Sequence, residues 1–102
     1  MEELSAVGLK AWIESGAAFT MVDVREDWEH AAFNIGGTLV PLGDLMQRRG
    51  EIARENPVVF YCEKGIRSQI AIQRLETLGF TNLYNLSGGM AAWRRDVETL
   101  KG

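Results

Sequence analysis

A chain of 102 residues, 46% hydrophobic and 25% charged, has the size of one domain built around one modest core. A net charge of −3 gives no general basic surface for nucleic acid, and no apolar run is long enough to cross a membrane. The start, Met1-Glu2-Glu3-Leu4, does not have the shape of a leader peptide, so the expectation is a cytoplasmic monomer with no nucleic-acid or membrane partner.

Ser5 is placed to cap a helix that carries Leu9, Trp12 and Ile13 on one face and stops at Gly16. Phe19 to Val24, apolar and β-branched, reads as a buried strand. Trp28 to Phe33 reads as a short helix, and Thr38 to Val40 as a short strand ended by Pro41. Leu42, Leu45 and Met46 give helical spacing over Leu42 to Arg49, and a charged connection follows from Glu51 to Pro57. Val58 to Tyr61 is the most apolar strand. Ser68 to Leu78 is a helix with Ala71, Leu75 and Leu78 on one stripe, closed by Gly79. Leu83 to Leu86 is a further strand, and Gly88-Gly89 turn the chain into a helix from Met90 to Thr99. Trp93 is expected to pack on the core, and Trp12 and Trp28 to be core or edge aromatics.

Short apolar strands that alternate with helices predict an α/β fold, with a mostly parallel sheet covered by helices on both faces. Ligands in such folds bind beyond the carboxyl ends of the strands. Three segments lie there: Asp23 to Glu26, Cys62 onward, and Asn85 to Gly89.

The only cysteine, Cys62, ends the Val58 to Tyr61 strand and stands before Glu63-Lys64-Gly65-Ile66-Arg67-Ser68, where the next helix begins. A lone cysteine is commonly a small buried hydrophobe. A strand-to-helix turn, however, converges backbone N–H groups and the positive end of a helix dipole, which favour a thiolate. Gly65 supplies backbone freedom, and Lys64 and Arg67 add positive charge. Arg67 suits a pair of anionic oxygens, or else pairs with a carboxylate such as Asp23 or Glu26. Glu63 adds negative charge beside the entrance, which suits a basic protein partner better than a small dianion. Asp23 and Arg25 read as a structural ion pair that pins loops. His30, the only histidine, reads as a surface or edge residue. No metal-ligand spacing is present, and no cofactor is expected.

Cys-x-x-Gly-x-Arg-Ser after an apolar strand resembles the active-site loop of rhodanese domains, the sulfurtransferases. Val22-Asp23-Val24-Arg25-Glu26, Ile35-Gly36-Gly37-Thr38-Leu39-Val40-Pro41-Leu42, and Gly79-Phe80-Thr81-Asn82-Leu83 through Gly88-Gly89-Met90-Ala91-Ala92-Trp93 resemble further segments of that family in the same order. Phe33-Asn34-Ile35 departs from the family's Gly-His-Ile. The resemblance implies one rhodanese domain over residues 1–102 with a five-stranded sheet. It also implies a Cys62 persulfide held by the amides of residues 63 to 67. The implied partners are a small sulfur donor (thiosulfate or a persulfide) and a thiophilic acceptor: cyanide in a test tube, a thiol or sulfur-carrier protein in a cell. Two alternatives stay open. One is a non-catalytic binding or regulatory module of the same fold. The other is a cysteine-dependent phosphatase or arsenate reductase. Those enzymes place five residues between Cys and Arg, whereas Cys62 and Arg67 enclose only Glu63, Lys64, Gly65 and Ile66.

Overall fold

The computed structural model describes residues 1–98. Its elements are β1 (Glu2–Leu4), α1 (Ala6–Ser15), β2 (Thr20–Asp23), α2 (Asp27–Ala32), β3 (Thr38–Leu39), β4 (Val58–Tyr61), α3 (Ile66–Glu76), β5 (Leu83–Leu86) and α4 (Gly89–Asp96). The five strands form one sheet in the order β1-β5-β4-β2-β3, and every pairing is parallel.

The central strand β4 explains why both faces are covered. Side chains alternate across a strand, so Val58 and Phe60 point to one face and Val59 and Tyr61 to the other. All four are fully buried. Val58 and Phe60 share a core with Ala71, Ile72 and Leu75 of α3. Val59 and Tyr61 share one with Leu9 of α1 and Met90 and Trp93 of α4. Each buried large side chain contributes roughly 1.5–3 kcal/mol, so one substitution to a charged residue here would break the layer.

The helix ends follow their residue types. Ser5 Oγ accepts from Gly8 N at 2.9 Å, and Gly16 adopts φ 73° to close α1. The buried positions of α1 are Ala6 and Leu9, while Trp12 lies edge-on to Phe19 and Tyr84. Ile13, expected on the buried face, is exposed, and so is Trp28 on the six-residue α2. Trp93 packs in the core as expected, and its Nε1 donates to Glu98 Oε1 at 2.8 Å. Thr99, the expected end of the last helix, lies outside the described residues.

Two stretches differ from the sequence expectation. Leu42 to Arg49 is not an α-helix but carries a 3-10 turn at Leu42–Asp44, with a second at Arg49–Glu51. Gly43 and Gly50 each weaken a helix by about 1 kcal/mol, and Arg48 is spent on Leu39 O and Glu51. The other stretch is β1, whose sequence shows no strand pattern. Its pairing with β5 joins Glu2 to Tyr84, Glu3 to Asn85 and Leu4 to Leu86. Edge pairing uses main-chain groups, which every residue type carries.

Candidate active site at the carboxyl ends of the strands

Cys62 leaves the end of β4, and its side chain is 1% exposed. Gly65 then adopts φ 90°, a conformation that favours glycine, and becomes the N-cap of α3. A glycine cap has no side chain to accept from the first-turn amides of its helix. The sulfur takes that place: Cys62 Sγ accepts from Gly65 N at 3.1 Å and from Ser68 N at 3.4 Å. Ser68 Oγ stands 3.4 Å from the same sulfur. The helix starts at Ile66, two residues before the sequence suggests, which puts Arg67 and Ser68 in its first turn.

The loop is held from behind by α4. Met90 N donates to Cys62 O at 2.9 Å, and Ala91 N donates to Glu63 O at 3.0 Å. This approach requires Gly89, because a Cβ there would lie 2.4 Å from Cys62 O.

The charged residues around the loop are largely neutralised by one another. Asp23 is fully buried and accepts from Arg25 N, Nε and Nη2 at 2.9–3.2 Å. Arg25 Nη2 also donates to Phe33 O at 2.6 Å. The pair ties the β2 end to the α2 end. Burial disfavours the Arg25 charge, but the hydrogen bond and charge of Asp23 outweigh it and raise its pKa. His30 is half-buried, with Nδ1 2.9 Å from Asp23 Oδ2. Arg67 meets Glu29 in a fork, Nη1–Oε1 at 2.7 Å and Nη2–Oε2 at 2.9 Å. The sequence points to Asp23 or Glu26 as its carboxylate. The hydrogen bond from Arg67, helped by Glu26 N–H, holds Glu29 at about 2, far below the usual carboxylate range. Glu63 pairs with Arg94 Nη1 and, at 3.5 Å, with Arg25 Nη1, so its charge is compensated within the molecule. Lys64 is exposed and has no carboxylate partner among the described residues.

A pocket of about 280 Å³ opens beside the loop, lined by Arg25, Trp28, Glu29, Ala32, Phe33, Glu63 and Arg94. Ile66, at the start of α3, is 66% exposed, and Trp28 is 73% exposed, so large apolar groups stand on the surface beside the charged pairs.

The predicted set Cys62, Glu63, Lys64, Gly65, Ile66, Arg67 and Ser68 forms one turn, with Ser68 and Gly65 at the sulfur and Lys64 and Ile66 facing solvent. Glu29, Arg94 and Glu3 escaped the sequence reading. Each reaches the site across a long stretch of chain, 38 residues for Glu29 to Arg67, so no local spacing signals it. Asn85 does leave a signal, since it is a polar residue inside an apolar strand. It is 1% exposed, and its Oδ1 accepts from Ser68 Oγ at 2.5 Å.

Known proteins are similar to this chain in sequence and in fold. The uncharacterised protein YqhL of Bacillus subtilis is 39% identical over 82 residues, which are 79% of this chain and 65% of YqhL. The chain thus spans less than two thirds of that relative. A Coxiella burnetii protein named thiosulfate sulfurtransferase GlpE is 31% identical over 93 residues, 89% of this chain and 87% of GlpE. The crystal structure of a rhodanese-related protein from Thermoplasma volcanium superposes with a TM-score of 0.85 at 26% identity, covering 95% of this chain and 94% of that one. The rhodanese-like domain profile matches residues 5–96, which takes in strands β2 to β5, the Cys62 turn and α4. That span, the five-stranded parallel sheet and the glycine-capped cysteine turn agree, and the chain belongs to the rhodanese-like domain family.

Proposed function

We propose that the chain moves sulfane sulfur through a persulfide on Cys62. The observation that supports this most is the sulfur at the N-terminus of α3, where it accepts from two main-chain N–H groups. Such donors stabilise negative charge on sulfur without a separate base, and the helix dipole acts in the same direction. The Cys62 thiolate attacks the outer sulfur of a donor such as thiosulfate. The new S–S bond forms at Sγ, the donor's S–S bond breaks, and its electron pair leaves on sulfite. The charge then sits on the outer sulfur of the persulfide. An acceptor nucleophile attacks that outer sulfur and returns Cys62 as thiolate. Cys62 is the only cysteine, so no second thiol in the chain can resolve the persulfide, and the acceptor is an external thiol or a sulfur-carrier protein.

The surroundings argue for a weakly charged donor. Three arginines stand near the loop, but Arg25, Arg67 and Arg94 are matched by Asp23, Glu29 and Glu63. A dianion therefore gains only the loop amides and Lys64 unless the Arg67–Glu29 fork opens. A persulfide with an apolar body gains Trp28, Ala32 and Phe33 instead.

The test is mass spectrometry of the intact chain after thiosulfate or a low-molecular-weight persulfide. The expected result is a gain of one sulfur atom, removed by cyanide with formation of thiocyanate. No gain from either donor would leave the non-catalytic module as the better reading, and turnover of an aryl phosphate without sulfur transfer would favour the phosphatase.

A further inference from the structure

A chain of hydrogen bonds runs from Cys62 to the edge strand β1. Ser68 Oγ lies 3.4 Å from Cys62 Sγ and 2.5 Å from Asn85 Oδ1. Asn85 Nδ2 lies 3.2 and 3.3 Å from the two carboxylate oxygens of Glu3 and 3.4 Å from Gly65 O. Ser87 Oγ donates to Glu3 Oε1 at 2.7 Å. The sheet register produces this row. Phe60, Asn85 and Glu3 are partners across β4, β5 and β1, so their side chains share the face on which α3 packs. Cys62, two residues after Phe60, falls on that face too.

The protons in this row can be counted. Nδ2 of Asn85 faces only acceptors, a carboxylate and a carbonyl. Reversing the amide would set its oxygen against both, so its orientation is decided. Oδ1 therefore faces Ser68 and takes that hydroxyl's single proton. The Ser68 oxygen is left to meet Cys62 with lone pairs. It can accept from an S–H, but it has no proton to give to a thiolate while Asn85 holds it. The donors to the sulfur are then main-chain only, Gly65 N–H and Ser68 N–H.

We propose that Glu3 is a positioning residue for the Cys62 sulfur: through Asn85 it keeps the Ser68 proton turned away from Sγ. This rests on Cys62 being the reactive group. A thiolate spared a hydroxyl hydrogen bond keeps its lone pairs free for attack on a donor sulfur. Releasing the hydroxyl would give the thiolate a third donor, which makes it easier to form and a weaker nucleophile. The other charged groups around the sulfur are Arg67 of α3 with Glu29 of α2, Lys64 in the loop, and Glu63 with Arg25 and Arg94. None of these groups hydrogen-bonds to the Asn85 side chain.

The experiment is the pH profile of iodoacetamide alkylation of Cys62 in the full chain, for the unaltered protein, Asn85→Leu, Ser68→Ala and the double variant. Asn85→Leu is expected to move the profile's midpoint to lower pH by about half a unit or more, the size of one hydrogen bond, and to lower the plateau rate several-fold. In the Ser68→Ala background the same replacement is expected to move neither. Equal movement in both backgrounds, or none in either, would overturn the proposal, because Asn85 would then act by packing alone. Glu3→Gln and Glu3→Ala give a second route that leaves the buried row intact. Both remove the charge, but only Gln keeps an acceptor for Asn85, so Ala is expected to move the midpoint further; identical profiles would overturn the role of Glu3. Alkylation reports the sulfur whether or not it transfers sulfur, so failure here and failure of the sulfur-transfer reading are separate results.

Discussion

The β4–α3 and β5–α4 turns are built alike and used differently. Each passes from a parallel strand into a helix through a left-handed glycine cap, Gly65 at φ 90° and Gly88 at φ 73°, and neither cap offers a side chain to the helix amides. Both helices therefore begin with N–H groups in need of acceptors. At α4 those groups are consumed by the protein, since Met90 and Ala91 donate to the carbonyls of Cys62 and Glu63. At α3 they converge on a sulfur. The β5–α4 turn is a clamp and the β4–α3 turn is a cradle, and the clamp holds the cradle. Chemistry sits where the donors remain available to a reacting atom, and rigidity comes from the neighbour whose donors are already used.

The sharpest way to break the comparison is Gly89→Ala. The added Cβ would lie 2.4 Å from Cys62 O at a residue with φ 58°, so a loss of about 3 kcal/mol or more in urea unfolding is expected, together with sulfur transfer. Gly65→Ala has only the left-handed backbone and a 3.3 Å approach to Gly88 N to contend with, and is expected to cost about 1–2 kcal/mol. Equal losses would mean that the clamp's close approach adds nothing beyond backbone conformation.

Cys62→Ser separates the cradle from its cargo. The hydroxyl can accept from the same two amides, so stability is expected within about 1 kcal/mol of the unaltered chain, with sulfur loading abolished. Residual sulfur loading, read by mass spectrometry, would move the chemistry away from Cys62.

The Arg67–Glu29 fork ties the cradle to α2, and acid tests it. Glu29 is held at about 2 in the folded chain, below the ordinary carboxylate value of about 4.3. Its contribution is therefore complete above that ordinary value and is lost as pH falls toward about 2. Glu29→Gln is expected to lower stability by roughly 1–2 kcal/mol at neutral pH, and to show a shallower decline than the unaltered chain between about pH 4.5 and 2. Parallel acid profiles would show that the fork contributes nothing.

Glu63→Gln should have the smallest effect. An unpaired carboxylate beside the entrance would repel thiosulfate, and its removal would lower KM a few-fold at low salt. Glu63 is instead paired with Arg94 and Arg25, so a change under about twofold is expected in KM. A larger, salt-sensitive fall would show that the pairs do not neutralise it.

Much of the frame was legible in the residues. Alternation of short apolar runs with helical spacing identified α1, β2, β4, α3 and β5, because burial imposes those periods on the chain itself. The Cys62 turn was legible because its donors come from the next six residues, and a glycine before a helix start has a local cause. The α/β class and the parallel sheet followed from the same alternation.

The remainder was settled only when distant segments met. β1 has no strand pattern and exists because β5 offers an unpaired edge. Leu42 to Glu51 keeps helical spacing at its start but breaks into 3-10 turns, since Gly43, Gly50 and the contacts of Arg48 outweigh periodicity. Arg67 found Glu29, Glu63 found Arg94, and Asn85 found Glu3 across 31 to 82 residues of chain. Hydrophobic burial is written in spacing along the chain, but the partner of a charge or an amide depends on which surfaces the fold brings within about 3 Å, and no local pattern encodes that distance.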